Sequence, residues 1–307
     1  GISKETALLN ADIILKSFNK MGCTAFSPGS KDFAAGKEFI LNKDEDSSFP
    51  FISSNIYDSE TNQLLFKPYI IENSNGQRIA FIGLSSQFDA IGIDVKDPIE
   101  SLNSILEEVI PISDLRILLF SSNDSDIKAV KKEHADKIAL IIRSHYIAKS
   151  FDGGYETPTY GIGEKGKLLY KFELDIEDTR MPYTDIAWCT KTIADKTKRL
   201  DNMKKGNMLV DLKILFKDEP MQLAKVFKFE NQIEEANQRL ENAVNKISFE
   251  KIELSKQVAS RVDILKIVDE GKLEIKKIAT PEINSDKNVY PNQKHEHDHD
   301  GDGIPDH

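Results

Sequence analysis

LRILLFSSND, residues 115–124, decides the fold. An apolar run stops abruptly in two serines, an asparagine and an aspartate. A short apolar run bounded by turn-forming polar residues reads as a buried strand with a polar loop at its carboxyl end. The same pattern recurs in QRIAFIGLSS (77–86) and KIALIIRSHY (137–146). Helical patterns lie between these runs, at 97–110 with Pro98 in the first turn and at 124–135. Strands alternating with helices predict an α/β sheet whose functional loops sit at the carboxyl ends of its strands. LLFKPYIIEN (64–73) and 77–86 flank SNG, a hairpin signal, and 157–176 reads as two strands around a glycine-rich turn. These segments add antiparallel, α+β character.

Working outward, residues 5–22 place Ala7, Leu8, Ala11, Ile14, Leu15 and Phe18 at helical spacing, with Gly22 as the C-cap. TAF (24–26) is a short strand that leads into the turn PGSKD, and 34–43 predicts a second helix. FPFISSNIYD (49–58) reads as a buried strand, with Asn55 as a turn-stabilising side chain. Past residue 180 the pattern turns helical. A polar helix is expected over 184–205 and a long charged one over 220–246, with Val226, Phe229, Ile233, Ala236, Leu240 and Ile247 at coiled-coil-like spacings. A further helix follows at about 253–270. The expected organisation is an α/β domain over 1–180, a helical hairpin or coiled-coil arm over 181–279, and a linker and polar tail over 280–307. The helices at 220–270 are the expected surface for a protein partner or self-association; the plainer alternative is an arm packed on its own domain.

The bulk numbers narrow the function. The 307-residue chain carries a formal net charge of −10, which disfavours a nucleic-acid groove or an anionic membrane surface as the main partner. No apolar run reaches the roughly 18 residues of a membrane span. GISKETALLN does not read as a natural start, so upstream sequence is expected. Cys23 and Cys189 belong to no metal or haem motif and read as small buried side chains, with a disulfide left open.

Seven pieces now stand in order: GCTAFSPGSKDFAAG (22–36), FPFISSNIYD (49–58), LFKPYIIE (65–72), QRIAFIGLSS (77–86), ILLFSSND (117–124), IIRSHYI (141–147) and ETPTYGIGEKGKLLY (156–170). Together they resemble the calcineurin-like metallophosphoesterases, in particular the 5′-nucleotidase branch found in bacterial periplasms. The resemblance covers about residues 5–176 and implies a two-sheet α/β sandwich flanked by helices. In that family two divalent ions activate a water and clamp a phosphate. The family's Asn-His pair falls on Ser30 and Lys31, and a further histidine falls on Ser121 or Ser122. The late His pair falls on His145 and Ile147, and the earliest ligands would precede residue 1. Hydroxyls are poor ligands for a divalent ion, and a protonated lysine offers no lone pair. The resemblance therefore implies a degenerate loop with no dinuclear transition-metal centre. In it Lys31, paired with Asp32, takes the space and charge of a lost metal. His145 alone reads as a hydrogen-bonded strand-end histidine rather than as a ligand. Gly161, Gly163 and Gly166 read as turn glycines rather than a phosphate cradle.

DHDGDGIPD (298–306) is the sharpest local motif. Asp298, Asp300, Asp302 and Asp306 around a glycine bend resemble a thrombospondin type 3 calcium repeat, and alternating carboxylates suit a hard Ca²⁺ ion. His295, His297, His299 and His307 offer a secondary site for Zn²⁺ or Ni²⁺. Both resemblances point to a periplasmic or extracellular location. The expected function is a non-catalytic, exported binding or structural component. The rivals are a metal-dependent nucleotidase or phosphodiesterase using His145, Asp32 and upstream residues, and a small-nucleotide sensor without turnover. Calcium calorimetry tests the tail: the chain takes up Ca²⁺, and Asp300→Asn with Asp302→Asn abolishes the heat.

Overall fold

The structure is a computed structural model and describes residues 3–144, 157–161, 163, 166–207 and 209–279. The Ser3 hydroxyl accepts the Thr6 N–H and starts α1 (Lys4–Met21), which Gly22 closes at φ 77°. A 3-10 turn (Ser30–Ala35) and α2 (Lys37–Glu45) follow, then β1 (Ile56–Asp58), β2 (Tyr69–Ser74) and β3 (Gln77–Ser85). Asn75 and Gly76, at φ 50° and 82°, supply the two left-handed residues that a tight hairpin between β2 and β3 requires. Next come β4 (Ile93–Val95), α3 (Pro98–Val109), β5 (Leu115–Ser121), α4 (Asp124–His134), β6 (Leu140–Ser144) and β7 (Thr159–Gly161). Asp97 and Asn123 cap α3 and α4 with their side chains.

The main sheet has the order β2-β3-β5-β6-β7, and β3, β5, β6 and β7 run parallel. Alternation along the strands sends Ile82, Leu84, Leu118, Phe120 and Ile141 to one face, where Leu102, Leu106 and Val109 of α3 and Val130 of α4 cover them. Ile117, Leu140 and Tyr160 go to the other face and meet Phe172, Ile247 and Phe249 of a second sheet. That sheet consists of β8 (Leu168–Asp175), β9 (Tyr183–Asp185) and β10 (Asn245–Glu253) in the order β8-β10-β9. The result is the expected two-sheet sandwich flanked by helices. A third cluster, with Phe33, Phe49, Phe51 and Phe66 at its centre, fixes α1, the 3-10 turn and α2 beside it.

The segment after residue 180 differs from expectation. It holds α5 (Ile186–Met203), a single turn α6 (Leu212–Leu215), α7 (Pro220–Glu241) and α8 (Val262–Ala279). The long helix ends at Glu241, and Ile247 belongs to β10 rather than to a coiled-coil seam. The reason is period: in NKISFEKIE, Ile247 and Phe249 alternate with polar residues and reach the sandwich core as strand side chains. Asn245 locks the start of this strand. Its side chain accepts the N–H groups of Glu177 and Asp178 and donates to the carbonyls of Asp178 and Met181. β10 pairs antiparallel with β8 from Lys246↔Asp175 to Glu253↔Leu168, and parallel with β9. Residues 181–279 are thus not a purely helical arm, and no α7–α8 coiled coil forms. The helix pair that packs is α5 with α7. α8 instead packs on α1, where a Cβ at Gly271 would lie 2.3 Å from Ile13 Cδ1. Cys23 and Cys189 are both free thiols.

His134, at the end of α4, is 2% exposed, and neither ring nitrogen has a hydrogen-bond partner among the described residues. Burial, aided by Lys137, lowers its pKa. The unfolded chain therefore takes up this proton more readily, and stability is lost as pH falls below the ordinary histidine value of about 6.5. Denaturant titrations at pH 7 and pH 5 will show a larger loss in the wild type than in His134→Leu.

Candidate functional site

Parallel pairing aligns the carboxyl ends of three strands. Ser85 of β3 pairs with Ser121 of β5, and Ser121 with Ser144 of β6, so one rung of serines crosses the sheet. Just beyond it, the Ser86 N–H donates to the Ser121 carbonyl at 2.8 Å. The Ser86 hydroxyl donates to Asp126 Oδ2 and accepts the Asn123 N–H, joining the end of β3 to the start of α4.

The Gly29 turn closes down on this rung. A Cβ at Gly29 would lie 2.1 Å from Ser121 Oγ, so only glycine admits the approach. Asp32 Oδ2 reaches back to accept the Gly29 N–H at 2.8 Å. Burial raises the pKa of this carboxyl, and the Gly29 hydrogen bond partly offsets the shift. The expected Lys31–Asp32 pair is not made: on the tight 3-10 turn the carboxylate is committed to its own backbone.

Asn55 is fully buried and fully used. Its amide donates to the carbonyls of Ser85 (2.7 Å) and Lys96 (2.9 Å). Its Oδ1 accepts from the Ser85 N–H (3.0 Å) and the Ser53 hydroxyl (3.4 Å). It is a cross-link between the end of β3 and two other segments, more than a local turn stabiliser. On the other side, the buried Arg143 guanidinium donates to Asp124 Oδ1 at 3.0 Å and to the Ser122 carbonyl at 3.1 Å. Among the described residues the buried Ser122 hydroxyl has no hydrogen-bond partner.

Of the residues singled out from sequence, Ser30, Lys31 and Asp32 lie on the 3-10 turn, Ser121 ends β5, and Ser122 follows it directly. The Gly29–Ser121 contact brings these two groups together. His145 and the tail carboxylates Asp298, Asp300, Asp302 and Asp306 fall outside the described residues. Asn123, Asp126 and Arg143 escaped the sequence reading. The available signal was the arginine inside the apolar run LIIRS, because a charge at a buried strand end needs a partner.

A dinuclear metal centre does not fit the described residues. Asn55 has no oxygen or nitrogen to spare, Asp32 is turned onto its own loop, Asp124 is held by Arg143, Asp126 accepts from Ser86 and Asn123, and the other groups are hydroxyls, a guanidinium and an ammonium. Among the described residues no three His, Cys, Asp or Glu side chains converge.

The comparisons agree with the architecture. No family model matches the chain. It is 34% identical over 113 residues to a 5′-nucleotidase of Vibrio cholerae, an alignment that takes in 34% of this chain and 20% of that protein. It is 25% identical over 162 residues to protein UshA of Salmonella pullorum, covering 46% of this chain and 30% of the relative. The chain therefore matches less than a third of the length of these relatives. The calcineurin-like phosphoesterase YfkN from Bacillus subtilis superposes with a TM-score of 0.57 over 90% of this chain and 79% of its own, at 13% identity. The fold is that of the calcineurin-like phosphoesterases. The sequence relatives, a 5′-nucleotidase and protein UshA, and the fold neighbour point the same way, toward the calcineurin-like phosphoesterases and 5′-nucleotidases.

The strand ends give a stability test. Asn55→Ala leaves the buried Ser85 N–H and two carbonyls unpaired and costs about 3 kcal/mol in chemical denaturation. Lys31→Ala, on the turn beside it, costs less than about 1 kcal/mol.

Proposed function

We propose that this chain is an exported, catalytically silent protein on a calcineurin-like phosphoesterase fold, acting as a binding or structural component. One observation carries the reading: the strand ends that support a phosphoesterase site here bear serines, an internally committed aspartate and a saturated asparagine. Their hydrogen bonds are directed at one another and hold the loops closed. Hydroxyls and backbone amides at this spot organise the fold but do not activate a water.

The partner surface in this proposal is formed by exposed apolar side chains of α7 and of α8. Met221, Phe227, Val262 and Leu273 are exposed there, although each is large and apolar. Location outside the cytoplasm rests on the tail: Asp298, Asp300, Asp302 and Asp306 suit calcium at the millimolar levels found there. No helix among the described residues is long and apolar enough to cross a membrane.

Phosphoester hydrolysis tests the proposal. With 5′-AMP and bis(p-nitrophenyl) phosphate as substrates and Mn²⁺, Zn²⁺ or Ca²⁺ added, turnover stays at the level of the metal ions alone. Protein-dependent hydrolysis that rises with Mn²⁺ and disappears in Asp32→Asn would establish an enzyme instead. Tight binding of a nucleotide without turnover would establish a sensor.

A further inference from the structure

Among the described residues, the second sheet ends at β8. β8 is its outermost strand, and among the described residues no strand pairs with its far edge. The edge is eight residues long and carries neither proline nor glycine, features that otherwise blunt such edges. Its inward side chains, Tyr170, Phe172 and Leu174, belong to the sandwich core but remain only partly buried. Its outward side chains, Leu169, Lys171, Glu173 and Asp175, are exposed. Lys171 and Glu173 pair with each other on the surface, 54% and 66% exposed.

We propose that a second copy of this chain occupies the edge, with β8 meeting β8 in antiparallel register about a two-fold axis at Phe172. The sequence LLYKFELD is complementary to itself in this one register. Lys171 faces Glu173 of the second copy, and Glu173 faces its Lys171. On the inner face Tyr170 meets Leu174, and the two Phe172 rings meet at the axis beside Phe249, already 5.4 Å from Phe172 by ring centroid. Leu169 faces Asp175, so no like charges meet. Shifting the axis to Glu173 sets two glutamates against each other, and shifting it to Lys171 sets two lysines together; both are unfavourable directly across a strand pair. The pairing joins two three-stranded sheets into one of six and buries the aromatic side of β8. An isologous contact of this kind closes after two copies, so it yields dimers rather than fibres.

The contact is independent of the proposed loss of catalysis, and each can fail without the other. Sedimentation velocity on the full chain at rising concentration tests it, together with hydrogen exchange. The wild type passes from monomer to dimer, and the amides of 168–175 gain protection as it does so. Lys171→Glu and Glu173→Lys each weaken association about tenfold, because both cross-strand pairs turn from attractive to repulsive. The double variant Lys171→Glu, Glu173→Lys restores it. A monomer at every concentration overturns the proposal. So does a dimer indifferent to the single reversals, or one whose protection falls on α7 and α8 and not on β8.

Discussion

The strand-end site depends on the unbroken parallel register of β3, β5 and β6. A slip of one residue between any two would turn every side chain of the shifted strand to the opposite face. Leu84, Leu118 and Ile141 would leave the helix layer, and the Ser85–Ser121–Ser144 rung would come apart. With the register held, the rung is a floor on which the Gly29 turn can rest. Asn55 and Arg143 brace it from two sides, each through hydrogen bonds to backbone carbonyls at the strand ends.

Much of this was legible in the sequence because the main sheet follows local rules. β3, β5 and β6 are apolar runs that end in polar residues, and α3 and α4 begin at a capping Asp97 and Asn123. The SNG hairpin likewise declares itself through residues that tolerate positive φ. The turn at Gly29 and the end of β5 could be marked from sequence, but their wiring could not. Ser30, Lys31, Asp32, Ser121 and Ser122 were marked as a group, and the fold brings the turn and the strand end together. The choice of Asp32 for Gly29 over Lys31 depends on the tight geometry of a 3-10 turn. The contacts of Arg143 and Asp126 join residues far apart in the chain, and no local pattern encodes them.

The C-terminal third misled for a physical reason. Val226, Phe229, Ile233, Ala236 and Leu240 carry a helical period, and Ile247 continues it by coincidence of spacing. The chain nevertheless changes state between Glu241 and Asn245, because Asn245 satisfies four backbone groups around residues 177–181. Such a tertiary lock outweighs the modest propensity of a few exposed residues. It also places a strand from residue 245 onward at the centre of the second sheet, leaving β8 on its rim. Among the described residues, the side chains at the strand ends are tied to the backbone around them. Groups that would ligate or polarise are spent on holding loops.

Metal content measures that claim most directly. The chain is loaded with Mn²⁺ or Zn²⁺, dialysed exhaustively and subjected to elemental analysis, both intact and with residues 280–307 removed so that the tail's histidines and aspartates do not confuse the count. The account predicts no retained transition metal once the tail is gone. One or two ions per shortened chain would contradict it and return the strand ends to the chemistry of phosphoesters.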